Sequence, residues 1–155
     1  MFTATQHKQT TSRRTVVIAS AAAALAALLP RLSSADPAAV TAALKKLYGD
    51  KPMTEGHIKL DVPPIAENGL VVPLNVEVES PMSETDYVTT VHVFADGNPL
   101  PGVVSYHFQP GGKASAGTRV RLAQTQNVVC VAEMSNGQVY MAKANVKVTI
   151  GGCGG

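Results

Sequence analysis

Beyond Lys51 the chain is a succession of short alternating runs, each closed by turn residues, and few folds accept that rhythm. The run Leu70–Glu79 sets Leu74, Val76 and Val78 on one face and Asn75, Glu77 and Glu79 on the other. A period of two marks a half-buried strand. Similar runs follow at Tyr87–Ala95, Val103–Phe108, Thr118–Ala123, Asn127–Met134 and Gln138–Ile150, after a shorter one at His57–Asp61. Between them stand Pro63-Pro64, Ser80-Pro81, Asp96-Gly97-Asn98-Pro99, Pro110-Gly111-Gly112 and Ser135-Asn136-Gly137, all strong breakers of regular structure. About seven strands separated by turns every 8–12 residues predict an antiparallel, immunoglobulin-like β-sandwich. No strand–helix alternation is present, so a parallel α/β sheet is excluded.

One helix is expected before the strands. Asp36 can cap it, Pro37 suits its first position, and Gly49 suits its end. Val40, Leu44 and Leu47 fall on one face at helical spacing. A helix this short is stable only when docked, either on the domain's own sheet or on a partner.

The first 35 residues read as an export signal. Arg13 and Arg14 precede an apolar stretch from Val16 to Leu29, 14 residues long. That is short of the roughly 20 residues that cross a bilayer and fits the apolar region of a signal peptide. Paired arginines ahead of it match the twin-arginine route, and Ser33-Ser34-Ala35 supplies small residues for cleavage. A retained anchor and an ordinary secretory signal are the alternatives. The predicted layout is therefore signal 1–35, sandwich with its helix 36–150, and tail 151–155, with the mature protein in the periplasm and free of the membrane.

Removing the signal reverses the charge balance. It carries Lys8, Arg13, Arg14 and Arg31 and no acid. Of 13 basic and 11 acidic side chains the remainder keeps nine and 11. The basicity belongs to the signal, and the footprint of a nucleic-acid binder is gone.

The tail Gly151-Gly152-Cys153-Gly154-Gly155 holds the candidate chemistry. Glycines on both sides add no bulk and little stiffness, so the segment reads as a flexible arm bearing one thiol. Extended, its five residues span at most about 17 Å. An exposed thiol titrates near pH 8.5, and only the thiolate attacks. No sequence neighbour lowers that value, and the terminal carboxylate opposes a second negative charge. Cys153 therefore reads as a passenger site that other proteins activate. The alternative is an exported structural or redox sandwich whose tail cysteine forms an interchain disulfide, a bond that persists in such a compartment. Cys130 lies within Val128-Val129-Cys130-Val131-Ala132, which reads as a buried strand in which the thiol acts as a small apolar group.

Other chemistry lacks a pattern. There is no C-x-x-C for dithiol exchange, no G-x-S-x-G elbow and no phosphate loop. His57, His92 and His107 are scattered, with no metal-ligand spacing, although His92 and His107 could face each other across strands. No catalytic residue, metal or cofactor is assigned to the chain.

Several stretches resemble the SoxY family, sulfur-carrier subunits of the bacterial Sox thiosulfate-oxidation system. They are Ile65-Ala66-Glu67-Asn68-Gly69 with Val72-Pro73, Ser80-Pro81-Met82, Asn98-Pro99, Thr118–Ala123, and Val148–Gly155. The resemblance runs from about Asp36 to the tail, whose motif is its most specific part. It implies that Cys153 is the covalent attachment site and that Gly151, Gly152, Gly154 and Gly155 form the carrier arm. It also implies a heterodimer with a SoxZ-like subunit. Three transient partners follow: a c-type haem enzyme that conjugates thiosulfate, a manganese-containing hydrolase that releases sulfate, and in some organisms a molybdenum sulfur dehydrogenase. The chain would be a substrate of these enzymes and not an enzyme itself. Cys130 departs from the family pattern, where a small residue such as Ala is common, and adds a second thiol.

Overall fold

The computed structural model describes residues 37–150. The predicted signal, with Arg13 and Arg14, and the arm residues Gly151, Gly152, Cys153, Gly154 and Gly155 lie outside the described residues, as does the capping Asp36.

Helix α1 spans Pro37–Tyr48, and nine strands follow: β1 Met53–Glu55, β2 Ile58–Asp61, β3 Ile65–Asn68, β4 Val72–Val78, β5 Val88–Ala95, β6 Gly102–His107, β7 Ser115–Val120, β8 Gln126–Met134 and β9 Val139–Ile150. The larger sheet runs β1-β9-β8-β5-β6, with β3 also on β9, and the smaller runs β2-β4-β7. The protein is the expected mainly β sandwich with one short helix. Its core lies between the sheets, built from Val72, Leu74, Val76 and Val78 of β4 against Val91, Val93, Val128, Cys130 and Val146.

Strand β8 shows why its sequence does not alternate. Cys130 and Ala132 face the smaller sheet, while Val129 and Val131 face outward beneath α1. Both faces are covered, so the strand is apolar throughout. The helix therefore docks on its own domain, against Phe94, Val129, Val131 and Val139.

The docked face differs from the expected one by one position. Val40 and Tyr48 are buried and Leu44 partly so, whereas Leu47 is half exposed. The stripe follows an i, i+4, i+8 course, which places the large Tyr48 ring and not Leu47 against the sheet. Gly49 ends the helix as expected, at φ +63° with its N–H donating to Lys45 O at 2.9 Å.

Two further corrections concern the strands. Nine are present among the described residues rather than about seven, and the sandwich is not purely antiparallel. The unforeseen β1 and β3 both run parallel to β9. They are three and four residues long, and each follows proline closely. A segment that short carries no readable periodicity; only the free edge of β9 makes it a strand. Strand β7 also starts earlier than expected, at Ser115. Its Gly117 lies opposite Asn75, where a Cβ would come within 2.6 Å of Asn75 Oδ1. A glycine here permits close backbone approach, which strand propensity alone does not anticipate.

Candidate functional site

The residues leading to Cys153 are held from both sides. On one edge of β9, Ile65, Ala66 and Asn68 pair with Lys147, Val148 and Ile150. Lys147 N–H donates to Pro64 O at 2.9 Å, and Thr149 Oγ1 donates to Glu67 O at 2.9 Å. On the other edge, Val148 N–H donates to Thr125 Oγ1 at 3.0 Å, and that hydroxyl donates back to Val148 O at 3.3 Å. Strand β8 pairs only as far as Val146, so Thr125 continues the grip where the regular ladder stops.

The loops around this end are knitted together. Asn68 Oδ1 accepts from Leu70 N–H at 2.9 Å, a tight turn that sends the chain across to the smaller sheet. Gly69 O accepts from Leu122 N–H at 2.8 Å. Asn98 spans the gap between two further loops: its Nδ2 donates to Arg121 O, and its Oδ1 accepts from Ala123 N–H and Gln126 Nε2, each at 2.9 Å. Gln126 is the buried polar residue here, and its Oε1 accepts from Gly97 N–H at 2.7 Å. Gly97 is required, since a Cβ would fall 2.7 Å from Gln126 Cβ. Buried amides with partners at both ends fix loop geometry more firmly than apolar contact alone.

Four of the stretches that carried the family resemblance converge here: Ile65–Gly69 with Val72-Pro73, Asn98-Pro99, Thr118–Ala123 and the strand from Val148. Ser80-Pro81-Met82 does not join them. Sequence reasoning treated Asn98 as a turn residue and passed over Gln126, Thr125 and Thr149. Their only signal was polar residues at the ends of apolar strands.

Cys130 is a free, fully buried thiol between the sheets. Burial pushes it up to about 12, so it stays protonated and inert at neutral pH. A thiol outside the core cannot reach it without opening the sandwich. The histidines stand apart from the strand end. His92 Nδ1 lies 2.6 Å from Ser105 Oγ, and His107 Nδ1 lies 3.2 Å from Thr90 Oγ1. Burial, and secondarily His107, lower His92 below the usual imidazole range. His57 packs against Tyr140 at a tilt of 41°, with ring centroids 4.4 Å apart. Among the described residues no three His, Cys, Asp or Glu side chains are grouped to hold a metal.

These features define a small two-sheet sandwich whose last strand is clamped up to the approach to a glycine-flanked cysteine. The family model for sulfur oxidation protein SoxY matches residues 44–153, a span that includes Cys153. The chain belongs to the SoxY family. It is similar to the solved sulfur carrier protein SoxY from Chlorobium limicola f thiosulfatophilum, with 33% identity and a TM-score of 0.62 over 73% of this chain and 98% of that one. It shares its fold alone with the superoxide reductase (neelaredoxin) of Ignicoccus hospitalis, at 14% identity and TM-score 0.54 over 60% of this chain and 80% of that one. The same holds for the superoxide reductase of Nanoarchaeum equitans, at 8% identity and TM-score 0.52 over 61% and 99%. A comparison with curated proteins returns no match.

Proposed function

We propose that the protein is a periplasmic sulfur carrier of the Sox system, with Cys153 as the covalent attachment site. The observation that carries the reading is the SoxY family match running through Cys153, on a chain whose preceding strand is clamped as far as Ile150. A fixed base and a glycine-rich arm divide the labour: the body positions, the arm reaches, and the enzymes it visits supply the chemistry. The twin-arginine signal directs the chain to the periplasm, and a SoxZ-like subunit completes a heterodimer.

The loading step balances as follows. The Cys153 thiol and thiosulfate join through a new S–S bond, giving Cys153–S–S–SO3⁻. One proton and two electrons leave, the electrons passing one at a time through the c-type haem of the conjugating enzyme to its electron acceptor. The manganese-containing hydrolase then adds water across the S–SO3 bond, releasing sulfate and leaving a persulfide on Cys153. Where a molybdenum sulfur dehydrogenase exists, it oxidises that remaining sulfur.

Mass spectrometry of the chain purified from thiosulfate-grown cells tests the reading. Thiosulfonate or persulfide adducts on Cys153, absent from Cys153→Ser, are expected. A native dimer held wholly by Cys153–Cys153 disulfides, seen on a non-reducing gel and carrying no adduct, would overturn it.

A further inference from the structure

Among the described residues, β1, β3, β2, β7 and β6 stand at the margins of the two sheets. Four of them are guarded. Strand β1 is three residues long and ends in Glu55, and β3 is four residues long and holds Glu67. Strand β2 holds Lys59 and Asp61, and β7 holds Arg119. Short length and charge keep an edge from pairing with another chain. Strand β6 has neither: it is six residues long, with no acid, lysine, arginine or proline. It pairs with β5 alone. Phe108 N–H donates to Thr89 O at 3.0 Å, which sets the alternation along that ladder. Tyr106 and Val104 turn their backbone groups towards β5, whereas Ser105 and His107 turn theirs away from the sheet.

The flanks of this edge specify what pairs with it. A strand added beside β6 turns one face to the side of α1 and the other to the gap between the sheets. On the first side Leu47, 51% exposed, rims a hollow of about 450 Å³ lined by Phe94 and Val103. On the second a groove of about 490 Å³ runs between β6 and β7, rimmed by Leu100, Arg119 and Arg121. Both arginines are exposed, and neither has an ion-pair partner among the described residues. The complement is an extended segment with apolar side chains on one face and carboxylates on the other. A second copy of β6 does not fit, since it brings no carboxylate to these arginines. Strand β6 also lies three strands from β9, about 14 Å across the sheet. Pairing there leaves β9 uncovered, which suits a subunit that stays bound while enzymes come and go.

We propose that β6 is the edge to which the partner subunit adds an extended strand, with carboxylates facing Arg119 and Arg121 and apolar side chains facing Leu47. The inference rests on the heterodimer in the carrier reading above and locates its interface. Hydrogen bonds to the outward backbone groups of Ser105 and His107 set the register, and the two flanking hollows select the side chains. The added strand also closes an edge that would otherwise template aggregation.

The test titrates the full mature chain with the purified SoxZ-like subunit of the same host and follows both Kd and backbone hydrogen exchange. Wild type is compared with Ser105→Pro and with Arg119→Glu/Arg121→Glu. Proline is accepted at an edge where the N–H faces solvent, so Ser105→Pro blocks an added strand while sparing the ladder to β5. The expected result is a Kd raised at least about tenfold in each variant, with the melting temperature of the free chain unchanged. The loss in the charge-reversal variant should shrink as salt is raised. In the wild-type complex, exchange should slow in the segment Gly102–His107. If Ser105→Pro fails to fold, the charge-reversal variant and the exchange pattern decide. Wild-type affinity in the folded variants, or protection that falls on another edge, would overturn the β6 interface and leave the carrier reading standing. Protection of β6 that grows with the concentration of the chain alone would overturn it by assigning the edge to a second copy. A wild-type chain that does not bind the subunit would overturn the heterodimer and this inference together, while the sulfur adduct on Cys153 tests the carrier role separately.

Discussion

Thr149 donates its hydroxyl to Glu67 O at 2.9 Å, a side-chain bond lying alongside the backbone pairing of β3 with β9. The bond ties the penultimate residue of β9 to a strand four residues long and so stiffens the end of β9 that precedes Gly151 in sequence. Thr149→Val keeps the shape and strand propensity but removes the donor. Because the bond is exposed, the expected loss is about 0.5–1 kcal/mol, with faster amide exchange at Asn68 and Ile150 by hydrogen-exchange mass spectrometry. Unchanged exchange there would show that backbone pairing alone holds the root.

Gln126 is the more consequential polar residue. Its amide satisfies Gly97 N–H, Asn98 Oδ1 and Gln124 O. Gln126→Leu preserves volume but leaves the Gly97 donor without its partner in a buried site. A cost of about 2–3 kcal/mol is expected in urea denaturation, larger than for most surface changes.

Tyr48 behaves in the opposite way. Its ring is buried under α1, and its hydroxyl has no hydrogen-bond partner among the described residues. Removing an unsatisfied hydroxyl relieves desolvation at no cost in packing. Tyr48→Phe should unfold at or slightly above the wild-type temperature, whereas Tyr48→Ala should lose about 3–5 kcal/mol. A marked loss in Tyr48→Phe, measured calorimetrically, would mean that the hydroxyl has a partner after all.

Cys130 gives the fold an alkaline limit. Desolvation raises its thiol to about 12 in the folded state, against about 8.5 when unfolded. The folded state therefore holds its proton more tightly. Its contribution to stability is complete below about pH 8.5 and declines as pH rises from there towards 12. Cys130→Ala should flatten the fall in melting temperature over that range, while lowering stability modestly at neutral pH through the lost volume. In intact protein at pH 8, alkylation should label Cys153 and spare Cys130.

The sequence made the sandwich legible because β4, β5, β6, β8 and β9 either alternate cleanly or run apolar between clear turn residues. Leu74, Val76 and Val78 share the core face as their spacing requires. The parallel strands β1 and β3 were not legible, because each gains its structure from the free edge of β9 rather than from its own residues. Leu47 was misplaced because helical spacing alone cannot choose between neighbouring stripes, and Tyr48 offers more surface to bury. At the candidate site, Cys153 was conspicuous as a lone thiol among glycines. The residues that hold its root were not, since Asn98, Thr125 and Gln126 acquire their roles from loops that meet only in the folded chain.

The central claim is that the clamped strand serves a cysteine that carries sulfur between enzymes. The most direct measurement is the intact mass of the mature chain isolated without reductant from host cells before and after a pulse of thiosulfate. The account predicts a thiosulfonate or persulfide adduct that appears with the pulse, maps to Cys153, and vanishes in Cys153→Ser while the heterodimer and its melting temperature are retained. A Cys153 that remains an unmodified thiol through the pulse, or sulfur that maps to another residue, would contradict it.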